Sequence, residues 1–207
     1  MAQVSRGIGW SQESNLLWQI LNQLSKLTSI IFGLKPKYKV YTALLTQSGD
    51  SSILDKVQGD SLDVGVTYTI ASNTENADLT VFGAPNSNVG TSFVCTTAGI
   101  LPSIGNISLI YDRGAPVVTV LENTIGNIWF TYNGVGDYRI INSDILFTEN
   151  KTYVTVNSQS RNMLENPASI YSVFCDNVIN IRLQTLLPDK FSNDVLKNTP
   201  IEIRVYS

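Results

Sequence analysis

Between Leu17 and Ile31 the apolar residues recur with a seven-residue period. With Leu17 at position a, Ile20 falls at d, Leu24 at a, Leu27 at d and Ile31 at a. This spacing predicts an amphipathic α-helix whose seam packs against other helices. Leu16, Leu21 and Ile30 widen the stripe, which favours three strands over two, so a homotrimer is the expected assembly. The other use for such a stripe is burial against the chain's own body. Ser11 or Ser14, with Glu13 nearby, supplies N-terminal capping chemistry, and Gly33 and Pro36 end the helix. Trp18 falls at the outward b position and is a candidate partner contact.

After Lys35 the period shortens to two. Residues 37–46 alternate and predict a strand with Tyr38, Val40 and either Ala43 or Leu45 facing inward. From about Asp50 to Arg113 short strand candidates at Thr67–Ser72, Leu79–Phe82, Thr91–Thr96 and Ser108–Tyr111 alternate with Gly, Asn, Pro and Ser clusters, the texture of a small β module. Longer strands follow at Val117–Glu122, Ile128–Tyr132, Tyr138–Ile141, Thr152–Asn157, Ile170–Cys175, Val178–Leu186 and Ile201–Tyr206. Asn133-Gly134 predicts a tight hairpin turn. Residues 191–199 read as a turn of helix stopped by Pro200. The last strand alternates Ile201, Ile203 and Val205 against Glu202, Arg204 and Tyr206, and is expected at a sheet edge or between subunits.

The expected architecture is mainly β: an N-terminal oligomerising helix (1–35), an antiparallel β-sandwich body (36–49 with 114–207) and a small inserted β module (50–113). At 207 residues, with 43% hydrophobic and 15% charged residues, the chain has the composition of a folded protein. Lys and Arg together number 14, without a basic run, and the net charge is −3, which argues against a nucleic-acid interface. The helix is too short and too interrupted by Asn22, Gln23, Ser25 and Lys26 to cross a bilayer. The opening residues lack a charged segment followed by an apolar one, so no secretory leader is expected. Cys95 and Cys175 lie in apolar runs and read as reduced core residues, with a disulfide as the alternative.

The chain contains no histidine, which removes the commonest general base and metal ligand. No phosphate-binding glycine loop, zinc-protease motif, nucleophile elbow or calcium loop occurs, so neither a catalytic residue nor a cofactor or metal ligand is assigned. Asp50, Asp55, Asp60 and Asp63 are the residual candidates for calcium, against solvated loop charges. Asp137 with Asp144 or Glu149 is the residual pair for glycoside cleavage. Trp129, Phe130, Tyr132 and Tyr138 either stack on a ligand or, as the favoured reading, pack in the core.

The phrases KYKVYTALLTQSG, APVVTVLENTIGNIWFTYNGVGDYRI, LFTENKTYV and TPIEIRVYS resemble virion structural proteins of tailed phages of Bacteroidetes, crAss-like phages among them. The inserted stretch, with VGVTYTIAS and ADLTVFGAPNSNVGTSFVCTTAG, is similar to a small β module of phage fibre and tail-associated proteins, departing from it at Leu79, Val81 and Cys95. The resemblance implies a non-enzymatic head fibre, capsid decoration or tail fibre, made in the host cytoplasm and placed in the virion. Its implied partners are copies of itself and capsid or tail proteins. The alternative is an adhesin for host-surface glycan, with Asn86, Ser87 and Asn88 of the insert as contacts.

Overall fold

The structure is a computed structural model that describes residues 16–24, 26, 38–142, 147–157, 170–177, 180–187 and 190–206; of 170–177 and Leu187 only the backbone is described. The chain divides into two compact units, residues 1–37 and 38–207. In the first, residues 16–24 are helical. Leu27, Ile31 and the expected helix ends lie outside the described residues.

The second unit is built of antiparallel strands: β1 (Tyr38–Thr46), β2 (Ile53–Val57), β3 (Ser61–Leu62), β4 (Thr67–Asn73), β5 (Ser92–Val94), β6 (Gly99–Ile100), β7 (Ile107–Asp112), β8 (Val117–Asn123), β9 (Ile128–Gly134), β10 (Asp137–Asn142), β11 (Thr152–Val156), β12 (Ile170–Asn177), β13 (Asn180–Leu187), β14 (Lys190–Phe191) and β15 (Thr199–Tyr206). One sheet runs β11-β15-β1-β8; a second runs β12-β13-β10-β9, with β14 also on β13. Their inner faces share one core: Tyr41, Ala43, Leu45, Val118, Ile201 and Ile203 from the first meet Ile128, Phe130, Tyr138, Ile140, Ile181 and Leu183 from the second. Alternation explains this, since every second residue of a strand points to the same side.

Residues 53–112 form a third sheet, β2-β7-β4-β5, and a small β3-β6 pair. This segment has its own core of Leu62, Tyr68, Ile70, Leu79, Phe82, Phe93, Leu101, Ile107 and Leu109. The alternate residues of β4 and β5 point the other way, toward the rest of the chain. Thr67 Oγ1 accepts the Phe130 N–H of β9 at 3.2 Å, and the Asn127 amide donates to Ser92 O at 2.9 Å. The Val118 N–H of β8 donates to Gly65 O at 2.9 Å, and Val94 is buried in the core of the other two sheets. The outer edges of β8 and β9 are thus both met by this segment, at Val118 and at Phe130. Gly65 has φ +86°, and a Cβ there would stand 2.4 Å from Val118 O, so the contact requires glycine.

Several expectations are corrected. On β1 Ala43 and Leu45 are buried as expected, with Tyr41, but Tyr38 and Val40 face outward half-buried; pairing of Tyr41 with Ile203 and Ala43 with Ile201 fixes that parity. Leu79–Phe82 is not a strand but leads into a 3₁₀ turn, Thr80–Phe82, because Asp78 Oδ1 accepts from both Thr80 N and Thr80 Oγ1. The hairpin turns at Val135-Gly136, and Asn133 is an extra residue opposite the Asp137/Tyr138 register shift. Gly136 supplies the positive φ (+62°), and a Cβ there would meet Ser192 N and Thr185 O at 2.6 Å. Residues 192–198 carry no helix, and Pro200 lies inside β15. Its carbonyl accepts from Asn157 N, and because proline has no N–H to return to Asn157 the ladder with β11 stops there, one residue beyond the Val156–Ile201 pair. β15 is an interior strand rather than an edge, held between β11 and β1.

At one end of the body a polar node joins four segments. Buried Gln47 accepts the Tyr138 hydroxyl at 2.8 Å and the Asp194 N–H at 2.8 Å, and donates to Gly49 O at 2.7 Å. Asn193 Oδ1 accepts the Gly136 N–H at 2.8 Å, while its amide lies 2.7 Å from Asp50 Oδ1 and 3.1 Å from the Tyr132 hydroxyl. Both polar atoms of the Gln47 side chain are bonded, which offsets its removal from water.

Gly65→Ala should destabilise the protein by about 2 kcal/mol or more, through strain and displacement of Val118, and lower the melting temperature by roughly 5 °C in calorimetry. Two tyrosines should respond oppositely to loss of the hydroxyl. Tyr138→Phe removes one of the two hydrogen bonds that Gln47 Oε1 accepts and should cost about 1 kcal/mol. Tyr41, 1% exposed with no partner for its hydroxyl among the described residues, should gain up to about 1 kcal/mol as Phe, measured by urea unfolding.

Candidate functional site

The helical segment presents its apolar residues to solvent. Leu16, Leu17, Ile20, Leu21 and Leu24 are 50–62% exposed, and Trp18 56%. Positions i, i+4 and i+8 of a helix share a face, so Leu16, Ile20 and Leu24 line one groove, of about 380 Å³, with Gln19 and Gln23 as polar flanks. Leucine and isoleucine at this spacing offer knobs and holes to a second helix and no group suited to chemistry.

The expected glycan contacts of the insert have other work. Asn86 Oδ1 accepts the Asn88 N–H at 3.0 Å and the Thr91 hydroxyl at 2.7 Å. Ser87 Oγ accepts the Leu79 N–H at 2.9 Å, and Ser87 O accepts from Asn73. These groups hold the loop's shape, as Asn and Ser do in turns.

The carboxylates singled out from sequence are dispersed. Asp60 caps the Val57 N–H at 2.8 Å, Asp63 pairs with Lys56 at 3.5 Å and Asp50 meets Asn193. Among the described residues no three His, Cys, Asp or Glu side chains group as a metal site. Asp137, half of the proposed glycosidase pair, is gripped by Arg182 through two 2.8 Å bonds and by the Asn133 amide at 2.6 Å. Burial raises its pKa, but the bonds from Arg182 and Asn133 and the charges of Arg182 and Arg139 outweigh it and hold the carboxyl below its ordinary range. A carboxylate held ionised in this way is a poor general acid. Asp144 lies outside the described residues, and Glu149 sits in the turn Glu149–Lys151.

Between the insert and the body lies a cleft of about 210 Å³, lined by Thr67, Thr69, Ile110, Asp112, Phe130 and Thr131 among others. Its polar groups are engaged: Thr67 with Phe130, Thr69 with Ser92, and Asp112 with Ser51, Ser52 and Gly114. Trp129, Phe130, Tyr132 and Tyr138 belong to the core or pack against it, as the favoured reading expects. Cys95 is a buried free thiol; the side chain of Cys175 lies outside the described residues.

One cluster escaped sequence reasoning. On the outward face of β15-β1-β11, Arg204 lies beside Tyr153 and pairs with Glu202, and its guanidinium stands 5.1 Å from the Tyr38 ring. Tyr38 and Tyr206 are neighbours, with ring centres 5.3 Å apart. Alternation placed Glu202, Arg204 and Tyr206 on one side, but only the pairing of β11 with β15 brings Tyr153 to them.

No helix among the described residues is long and apolar enough to cross a membrane. Comparison with protein families, curated proteins and solved structures finds no match to this chain.

Asp137→Asn should cost about 1–3 kcal/mol at pH 7, by removing the charge on which two Arg182 hydrogen bonds end. Because the folded pKa is depressed, this contribution is complete above the unfolded value of about 4 and is lost as pH falls through the folded value. The stability gap between wild type and variant should therefore narrow at pH 3 relative to pH 7 in urea titrations.

Proposed function

We propose that this chain is a non-enzymatic structural protein of a phage virion, a head fibre, capsid decoration or tail-associated fibre, that assembles through its N-terminal helix into a trimer. The observation that carries the reading is the exposed apolar face of residues 16–24, with Leu17, Ile20 and Leu24 at successive a and d positions. Apolar residues in that number on one helix are costly to leave in water, at roughly 25 cal/mol per Å². Copies of the same helix, supplying the same seam, cover them most simply. In this reading Leu27 and Ile31 extend the seam, Trp18 meets a capsid or tail protein, and the β-sheets form a sandwich held outward from the particle. The resemblance of the β segments to phage structural proteins supports the same assignment, as does the commitment of Asp137 to an internal ion pair.

Light scattering on the full-length protein tests it. The wild type should show three times the chain mass of 22.7 kDa. Leu24→Asp places a charge from every copy into the seam, at several kcal/mol, and should give the mass of one chain with the β content unchanged by circular dichroism. A monomeric wild type, or a trimer that survives the substitution, would overturn assembly through this helix.

A further inference from the structure

The outward face of the sheet β11-β15-β1-β8 is divided in character. Toward β8 and its middle it carries Thr42, Thr46, Thr119, Thr155 and Glu122, with Val40, Leu44, Val117 and Pro200 among them. At the other end stand Tyr38, Tyr153 and Tyr206 around Arg204 and Glu202. Tyr153 is 53% exposed and Tyr206 40%, and the Arg204 and Glu202 side chains keep 36% and 28% of their surface. Strand register fixes the arrangement: Tyr153 is directly opposite Arg204 across β11 and β15, and Tyr206 directly opposite Tyr38 across β15 and β1. Directly opposed residues point to the same side of a sheet, so the five side chains share one surface.

We infer that this end of the sheet binds a neutral hexopyranose ring of a glycan, stacked on Tyr153 or Tyr206 with its hydroxyls on Arg204 and Glu202. A pyranose has an apolar face of C–H groups and a rim of hydroxyls that both donate and accept. The face suits an exposed tyrosine ring. The rim suits an arginine, which only donates, next to a carboxylate, which only accepts. Arg204 uses Nε on one oxygen of Glu202 and also bonds the Tyr206 hydroxyl, which fixes the guanidinium beside the tyrosine rings, where its N–H groups and the Glu202 carboxylate face a ring's hydroxyls.

Other occupants fit less well. An anion would meet an arginine already neutralised by Glu202. A protein partner needs about 800 Å² per side with an apolar centre, whereas the aliphatic residues Val40, Leu44 and Pro200 of this face are half-buried, with Thr42, Thr119 and Thr155 among them. The glycan contact lies on the body sheet rather than at Asn86, Ser87 and Asn88, whose side chains or carbonyls shape their own loop. It is independent of assembly through the helix.

Saturation-transfer NMR on the full-length protein tests it, with methyl glycosides of glucose, galactose and mannose and with N-acetylglucosamine as probes at millimolar concentration. At least one should receive saturation at its ring protons. Tyr153→Ala or Tyr206→Ala should weaken that signal's apparent affinity at least threefold, with Tyr153→Phe restoring it. Asn86→Ala and Leu24→Asp should leave it unchanged, the latter separating this site from the assembly face. Absence of transfer from all four sugars would overturn the inference, as would transfer indifferent to both alanine variants. A change of solution mass in Tyr153→Ala, without a change in sugar binding, would identify a protein interface and overturn it equally.

Discussion

Two strands, β8 and β9, end the two sheets of the body on the same side, and each would expose a row of unpaired backbone groups there. The segment inserted between β1 and β8 covers both. Gly65 reaches the N–H of Val118 on β8, Thr67 reaches the N–H of Phe130 on β9, and Val94 is buried in the core between the sheets. An open edge is a template for unwanted pairing, and an open core loses apolar burial, so one segment answers both problems. The rest depends on this contact because it decides where the body's core stops. It also explains why residues 53–112 carry two kinds of side chain on one sheet. Tyr68, Ile70, Phe93 and Leu109 fill the segment's own core, while Thr67 and Val94, of opposite parity on β4 and β5, serve the body.

The polar node acts at a different end with the same consequence. The chain leaves β1 at Gln47 and re-enters the body near Gly114. Gln47, Gly49 and Asp50 are tied by hydrogen bonds to Asn193, Asp194 and Tyr138. Gly114 is packed so closely that a Cβ would meet Ser51 N and the Tyr132 ring at 2.9 Å. The crossing from body to insert is thereby pinned by groups with fixed donor and acceptor geometry. Burial pushes the Tyr138 hydroxyl's ionisation upward, so it remains a donor to Gln47.

Much of the strand order was legible because burial enforces alternation, as in β15, where Ile201, Ile203 and Val205 are buried and Glu202, Arg204 and Tyr206 are not. The failures have local causes. On β1 both parities are apolar, with Tyr38 and Val40 against Tyr41, Ala43 and Leu45, so the partner strand rather than the pattern chose the inner face. Asn133-Gly134 carries a turn signature, but Gly136 alone fits against Ser192 and Thr185, so tertiary contact moved the turn by two residues. Leu79–Phe82 has strand composition, yet the Asp78 side chain bonds the backbone ahead of it and forms a 3₁₀ turn. The tyrosine and arginine cluster was half visible: alternation grouped Glu202, Arg204 and Tyr206, and no feature of residues 152–156 announced that they would lie beside them. The apolar helix face was legible in full over residues 16–24, because a helix's faces follow from spacing alone.

Exposed apolar residues occur on the β segments too, and they do not compete equally with the helix as a route to assembly. β2 is an edge strand with Ile53, Leu54 and Val57 exposed. In a two-fold antiparallel pairing with its own copy, each residue faces one of the same parity, since the axis stands perpendicular to the sheet. The register that pairs all five residues sets Asp55 against Asp55 of the second copy and Leu54 against its Lys56. Like charges directly opposed are destabilising, so this edge resists the pairing that its apolar residues invite. β8 bears Val117, Val120 and Leu121 without a charge before Glu122, but Gly65 already occupies its edge at Val118, and a register shift where Leu121 bulges interrupts the ladder. The helix has no such obstruction among its described residues: Leu16, Leu17, Ile20, Leu21 and Leu24 share a broad stripe, and no acidic or basic side chain falls between them. Of these three surfaces, β2 is guarded by charge and β8 by bulge and cover, and among the described residues the helix keeps an uninterrupted apolar stripe whose pairing cannot slip a strand register.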